Sequence, residues 1–320
     1  MSPLNIRKVH QLTGHNAAIY ALVPGPQPGT FLSAAGDGWI VQWSLNGASE
    51  GEELLGQLIA KVDTQVFSLA YLPVTNTLVA GDMNGGVHWL NLSEDRPNRH
   101  LAHHRKGTYG VVVAGDQLIT LGGDGVITRW DTLRQSSVES LQLSNKALRT
   151  AVYREEAAEW LVGASDHHIY RLDVTDFSIK EKIAAAHENS VFCLQEHPKE
   201  NNKFFSGSRD ALLKVWQLGE EGAPTALLNS QPAHWYTINH LLTSPDGKYL
   251  LTASRDKTIR IWDTNTYKLI KTLDAARDGG HVNSVNRLLW VPGTPYFASA
   301  SDDRSIIVWN VTEEPLHRNV

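Results

Sequence analysis

The chain has 320 residues, with 34 acidic side chains against 29 basic ones and a net charge of -5, a balance that argues against general nucleic-acid binding. No apolar run approaches the roughly 20 residues needed to cross a bilayer, and the N-terminus lacks the apolar core of a secretion signal, so no membrane partner and a cytoplasmic location are expected. The single cysteine, Cys193, has no partner for an internal disulfide and, between Phe192 and Leu194, is expected to be inert packing in a buried strand.

One pattern recurs along the chain. Asp37, Asn84, Asp124, Asp166, Asp210, Asp256 and Asp303 each stand six residues before Trp43, Leu90, Trp130, Leu172, Trp216, Trp262 and Trp309 in turn. The intervals between these anchors are 47, 40, 42, 44, 46 and 47 residues, a period that predicts a four-stranded β unit repeated around a propeller. Apolar segments at 19–22, 66–69 and 191–194 read as innermost strands of successive units. In the sixth unit Ser244-Pro245-Asp246-Gly247 is a turn, proline setting φ and glycine supplying the left-handed position. The last unit runs through strands near 285–290, 297–301 and 306–309, with turns at Pro292-Gly293 and Asp302-Asp303. No unit is large enough to bury a core alone, so residues 1–320 are expected to form one domain.

The pairs that open units, Gly14-His15, Ala186-His187 and Gly280-His281, and those that close a third strand, Trp130-Asp131 and Trp262-Asp263, resemble the WD-repeat β-propeller family over nearly the whole chain. The resemblance implies an all-β, seven-bladed propeller of four-stranded antiparallel blades. It also implies a ring closed by the N-terminus, residues 6–12 adding the outer strand to the blade that ends at Trp309 and leaving a tail at 312–320. Within each blade it implies a buried chain from Trp indole to Ser or Thr hydroxyl, to His, to the turn Asp. The predicted sets are His15, Ser33, Asp37 and Trp43; His103, Thr120, Asp124 and Trp130; and His187, Ser206, Asp210 and Trp216. They continue with His234, Thr252, Asp256 and Trp262, and with His281, Ser299, Asp303 and Trp309.

Any one Ser–His–Asp set alone would suggest a nucleophile, a base and an orienting carboxylate. Five copies, each with a tryptophan, point instead to bracing, so no catalytic residue, cofactor or metal is expected. His103-His104 and His167-His168 are adjacent pairs whose rings diverge on a strand or turn and so make poor ligand sets. The second unit has Val62, Ala80 and Leu90 at the network positions and the fourth has Ser144, Val162 and Leu172, so donor and acceptors are expected to be lost together there.

Function is then expected on the rims, since loops carry binding while strands hold them. On the upper face, where the His loops and Asp turns lie, displayed positions include Asn16, His104, Trp235 and Val282. Trp235, with Tyr236, Arg209 and Arg255 on neighbouring blades, has the composition favoured at protein interfaces. Acidic loops at Glu50, Glu52 and Glu53, at Glu155, Glu156 and Glu159, and at Glu220 and Glu221 are placed on the lower face as solubilising groups. The expected function is a non-enzymatic protein–protein interaction scaffold that presents a rigid face to one or more proteins or peptides, as a monomer or within a larger complex. The alternative is a ligand-binding or catalytic propeller using the central channel, for which Arg149, Asn286 and Arg287 are the polar inner-strand residues of interest.

Overall fold

A computed structural model describes residues 4–93, 96–115, 117–219 and 223–313. Glu220 and Glu221 and most of the predicted tail lie outside the described residues; the final strand itself continues to Glu313. The strands form seven four-stranded antiparallel sheets. Six are built from four consecutive strands. The seventh combines Val285–Trp290, Tyr296–Ser301 and Ser305–Glu313 with the N-terminal strand Leu4–Thr13 at its outer edge. Leu4 pairs with Glu313, Lys8 with Trp309 and Thr13 with Ser305, with a bulge at Val9. The ring closure expected from the resemblance is therefore present, and no ladder edge of the last blade's third strand is left open. A single helical turn, Ala275–Asp278, capped by Asp274 and ended by Gly279 at φ 66, lies between the sixth and seventh blades.

The core lies between blades. Each of the seven hydrophobic clusters joins residues of two neighbouring blades. Phe31 and Trp43 of the first blade pack with Ala298 and Val308 of the seventh, and Ile6 and Trp309 pack with Leu251 and Ile261 of the sixth. The middle strands read as continuous apolar or small runs, such as Thr30–Ala35, because both of their faces are covered. The outer strands, such as Ser136–Gln142, have mostly exposed or half-buried residues.

The acidic-rim reading needs one correction. Glu159 is 1% exposed and forms ion pairs with Arg154 and, at 3.1 Å, with Arg171. Arg171 also reaches Glu181 at 2.9 Å, and Arg154 reaches Glu196 at 3.2 Å. Glu159 is the hairpin partner of Arg154, so strand pairing carries both side chains inward together.

Candidate functional site

Five blades contain a continuous polar chain. In the first, Trp43 Nε1–H donates to Ser33 Oγ at 2.8 Å, Ser33 Oγ lies 2.8 Å from His15 Nε2, and His15 Nδ1 lies 3.1 Å from Asp37 Oδ2. The same three contacts measure 2.8, 2.7 and 2.9 Å through Trp216, Ser206, His187 and Asp210. They are 3.1, 2.7 and 2.9 Å through Trp262, Thr252, His234 and Asp256, and 2.9, 2.8 and 2.8 Å through Trp309, Ser299, His281 and Asp303. An indole can only donate, so the one direction that satisfies every atom has the hydroxyl donating to Nε2 and a neutral imidazole donating from Nδ1 to the carboxylate. The hydroxyls of Ser33, Thr120, Ser206, Thr252 and Ser299 are 0% exposed, beyond the reach of a substrate.

The third blade corrects the sequence reading. The imidazole between Thr120, at 2.8 Å, and Asp124, at 3.2 Å, belongs to His104, not to His103, with Trp130 donating to Thr120 at 3.0 Å. His103 turns to Thr128 at 2.8 Å and sits edge-on to the Trp130 ring. The upper-rim residue of this blade is accordingly Arg105, and His104 is buried. A usable signal was present: the network histidines fall five residues before the first bulged residue of the inner strand, as His15 does before Tyr20 and His104 before Tyr109.

Burial lowers the pKa of His15, His104, His187 and His234 against the pull of the neighbouring carboxylates, His104 to about 4. Burial alone would raise Asp210, Asp256 and Asp303, but the imidazole and the hydrogen bonds around each carboxylate outweigh it and hold them below the ordinary range.

The two atypical blades differ from one another. In the fourth, the donors are not all lost, because Ser144 Oγ and the Tyr170 hydroxyl both reach Asp166 Oδ2, at 2.6 and 2.5 Å. In the second, Val62, Ala80 and Leu90 are apolar core, and Asp82 takes over the turn, accepting the N–H groups of Asn84 and Gly86 at 2.8 Å each. Leu90 and Leu172 hold the indole position in these two blades; Trp89 and Trp160 lie at other positions, each 0% exposed with no protein acceptor for its N–H among the described residues.

Each turn carboxylate also fixes the rim above it. Asp37 accepts the Asn16 N–H at 2.8 Å, Asp124 that of Arg105 at 2.9 Å, Asp210 that of Glu188 at 3.0 Å, Asp256 that of Trp235 at 3.1 Å and Asp303 that of Val282 at 3.1 Å. The residue after each network histidine is thus held by its backbone while its side chain stands on the upper face. Trp235 is 83% exposed, Tyr236 61% and Val282 65%. Arg255 is exposed in the turn whose N–H bonds Thr237, next to Tyr236. Arg209 is exposed on the adjoining blade; its charge bears on Arg149, and no hydrogen bond or ring contact joins it to Trp235 among the described residues.

At the channel mouth, every inner strand contributes one bulged residue: Tyr20, Phe67, Tyr109, Arg149, Phe192, Asn239 and Asn286. With Arg287 they line a cavity of about 310 Å³. Tyr20 and Phe67 meet edge to face at 5.2 Å, Phe67 and Tyr109 stack at 5.6 Å, and the Arg149 guanidinium lies 4.3 Å from Tyr109 and 5.1 Å from Phe192. Asn239 donates to Val285 O at 2.9 Å, and Asn286 to Ile19 O at 3.0 Å and Asp302 Oδ1 at 2.7 Å, so the two amides tie neighbouring inner strands together. Cys193, below the mouth, is 2% exposed and its thiol is pushed up by burial.

Seven four-stranded blades, closed by the N-terminal strand and braced internally, define a seven-bladed β-propeller. The profile of the WD domain, G-beta repeat family matches residues 6–44, 180–217, 225–263 and 267–310, and the chain belongs to that family, whose propellers are generally protein-interaction scaffolds. It is similar to the crystal structure of the WD40 β-propeller domain of Doa1, with a TM-score of 0.79, 18% identity and 97% of each chain covered. It is 22% identical to Protein tipD of Dictyostelium discoideum over 84% of this chain and 43% of that protein. It is 30% identical to WD repeat-containing protein 1 of Mus musculus over 65% and 35%, and 27% identical to nuclear distribution protein nudF of Emericella nidulans over 51% and 40%. The chain spans less than half the length of these curated relatives. No helix among the described residues is long and apolar enough to cross a membrane.

Proposed function

We propose that this chain is a non-enzymatic scaffold whose upper face grips a peptide or protein segment, with Trp235 and Tyr236 as anchors, Arg255 next to them and Arg209 on the adjoining blade. One observation carries the reading: an 83% exposed tryptophan next to a 61% exposed tyrosine, on a backbone pinned by a buried carboxylate. Large aromatic side chains displayed on a rigid frame bind with little ordering cost, and tryptophan, tyrosine and arginine are the residues enriched at interface hot spots. The buried hydroxyls of the five polar chains support a bracing role for them and speak against nucleophilic chemistry there. A cytoplasmic setting, suited to one buried thiol, fits this reading.

Affinity capture with mass spectrometry tests it, comparing the unmodified chain, a Trp235→Ala, Arg255→Ala double variant and an Asn16→Ala control. Loss of an aromatic anchor should weaken the main partner by about 2 kcal/mol, roughly 30-fold, with the control unaffected. Equal recovery by all three would remove the patch.

The channel mouth supports the second reading, ligand binding, because Arg149 and Arg287 stand there among four aromatic rings. Such a lining suits a planar or anionic group.

A further inference from the structure

The second blade departs from the others next to the place where its polar chain is missing. Val62, five residues before the bulged Phe67, occupies the position of the network histidines. Beside it is a cavity of about 440 Å³, lined by Lys61, Asp63, Asp82, His88 and His100 among others. Asp82 ends the strand Thr77–Asp82, His88 lies in Gly86–Asn91 and His100 in Arg99–Ala102. His88 and His100 are direct cross-strand partners, their rings stacked with centroids 4.4 Å apart and planes 24° from parallel. One ligating atom from each of the three residues lies within 4.8 Å of the other two.

Two features separate this cluster from an ordinary ladder rung. The corresponding rungs hold Thr128 with Ser140, Tyr170 with Lys182, Lys214 with Ser230 and Arg260 with Thr272, so among these described rungs the second blade's is the one with paired imidazoles. Gly86 also keeps the space between the ligands open: a Cβ there would come 2.4 Å from Asp82 Oδ2 and 2.6 Å from His100 Nε2. Asp82 is oriented before any ligand arrives, its Oδ1 held by two backbone N–H groups and its Oδ2 left facing His88 Nε2 at 2.8 Å.

We infer that Asp82, His88 and His100 form a binding site for a divalent transition-metal cation of the zinc type, with its remaining coordination positions facing the cavity. Two imidazoles and one carboxylate are the donor set of an open site of this kind. For the cation to be held by His88 Nε2 the neutral ring carries its proton on Nδ1, which gives up the hydrogen bond to Asp82 Oδ2 and leaves both atoms free to ligate. The proposal is independent of the upper-face reading and stands or falls without it.

The test uses the full chain, stripped with a chelator and titrated with zinc chloride by calorimetry and with cobalt(II) by visible absorption. One site per chain is expected, with a tetrahedral cobalt spectrum. Binding should fall at least about tenfold in His88→Ala and in His100→Ala, and stay unchanged in His167→Ala, an exposed histidine on another blade. His100 is exposed, so its truncation leaves the core intact, which melts of the metal-free variants verify. No uptake by the stripped chain, or equal zinc affinity in the His100→Ala variant, overturns the site.

Discussion

Asp256 Oδ2 lies 2.9 Å from the ring Nδ1 of His234 and accepts the backbone N–H of Trp235 at 3.1 Å, so one carboxylate ends the internal chain of its blade and fixes the tryptophan displayed above it. Internal bracing and surface presentation therefore share an atom. Substituting Asp256→Ala should lower stability by about 1–3 kcal/mol, because it strands a buried imidazole donor and a backbone amide. It should also weaken partner capture at Trp235 although the tryptophan is still present. Chemical denaturation and the capture assay, run on the same variant, check both halves.

The polar chain of the sixth blade should behave as a unit. Trp262→Leu and Thr252→Val each remove one end of a bond at 3.1 Å, and either alone leaves a buried group without its partner. Together they should cost less than the sum of the single changes by about 0.5–3 kcal/mol. Strict additivity in a double-mutant cycle by urea denaturation would show that indole and hydroxyl act separately.

Acid should loosen the ring before it protonates the carboxylates. His104 is held at about 4, below its unfolded value, so the unfolded state binds the proton more readily. Its stabilising contribution is complete above about pH 6.5 and is lost as pH falls toward 4, on the order of 3 kcal/mol for this one group. His15, His187 and His234 are lowered by the same burial and add in the same direction. Melting temperatures at pH 7.5 and 5 should differ by several degrees, and a flat profile would contradict neutral buried imidazoles.

Removing residues 1–13 should lower the melting temperature or cause aggregation, because it takes away a complete outer strand and the buried Ile6, Val9 and Leu12. The measurement is a thermal melt with light scattering, and an unchanged melt would argue against the closure.

Glu159→Ala should be among the more damaging single changes outside the apolar core. It removes the carboxylate shared by Arg154 and Arg171, each of which keeps a second partner in Glu196 or Glu181, a loss of about 1–3 kcal/mol. Glu159→Gln keeps hydrogen-bonding capacity and should cost less. Denaturant titration of both variants gives the comparison.

The repeat was legible because its anchors combine a turn acid with a buried aromatic or leucine at constant spacing, and that spacing survives even where side chains change, as at Asn84 and Leu90. His103 and His104 could not be told apart by composition; only the distance to the bulged inner-strand residue separates them. Glu159 looks like a loop acid until the hairpin places it opposite Arg154. The Asp82, His88 and His100 cluster has no linear signature, since its histidines are brought together by strand register and not by spacing along the chain. Trp235 was readable because it follows a network histidine, whereas whether Arg209 meets it depends on side-chain conformation, which spacing along the chain does not encode.

The seven shared hydrophobic seams have a mechanical meaning. A linear stack of repeats has end units that can peel away one at a time, each by giving up a single boundary. Here every blade is flanked on both sides, so detaching any one means breaking two boundaries at once, and fraying has nowhere to begin except at the fastening strand Leu4–Thr13. Relocating the chain ends to another outer-to-inner connection, with the present ends joined, would keep all seven boundaries and move the weak point to a blade of choice.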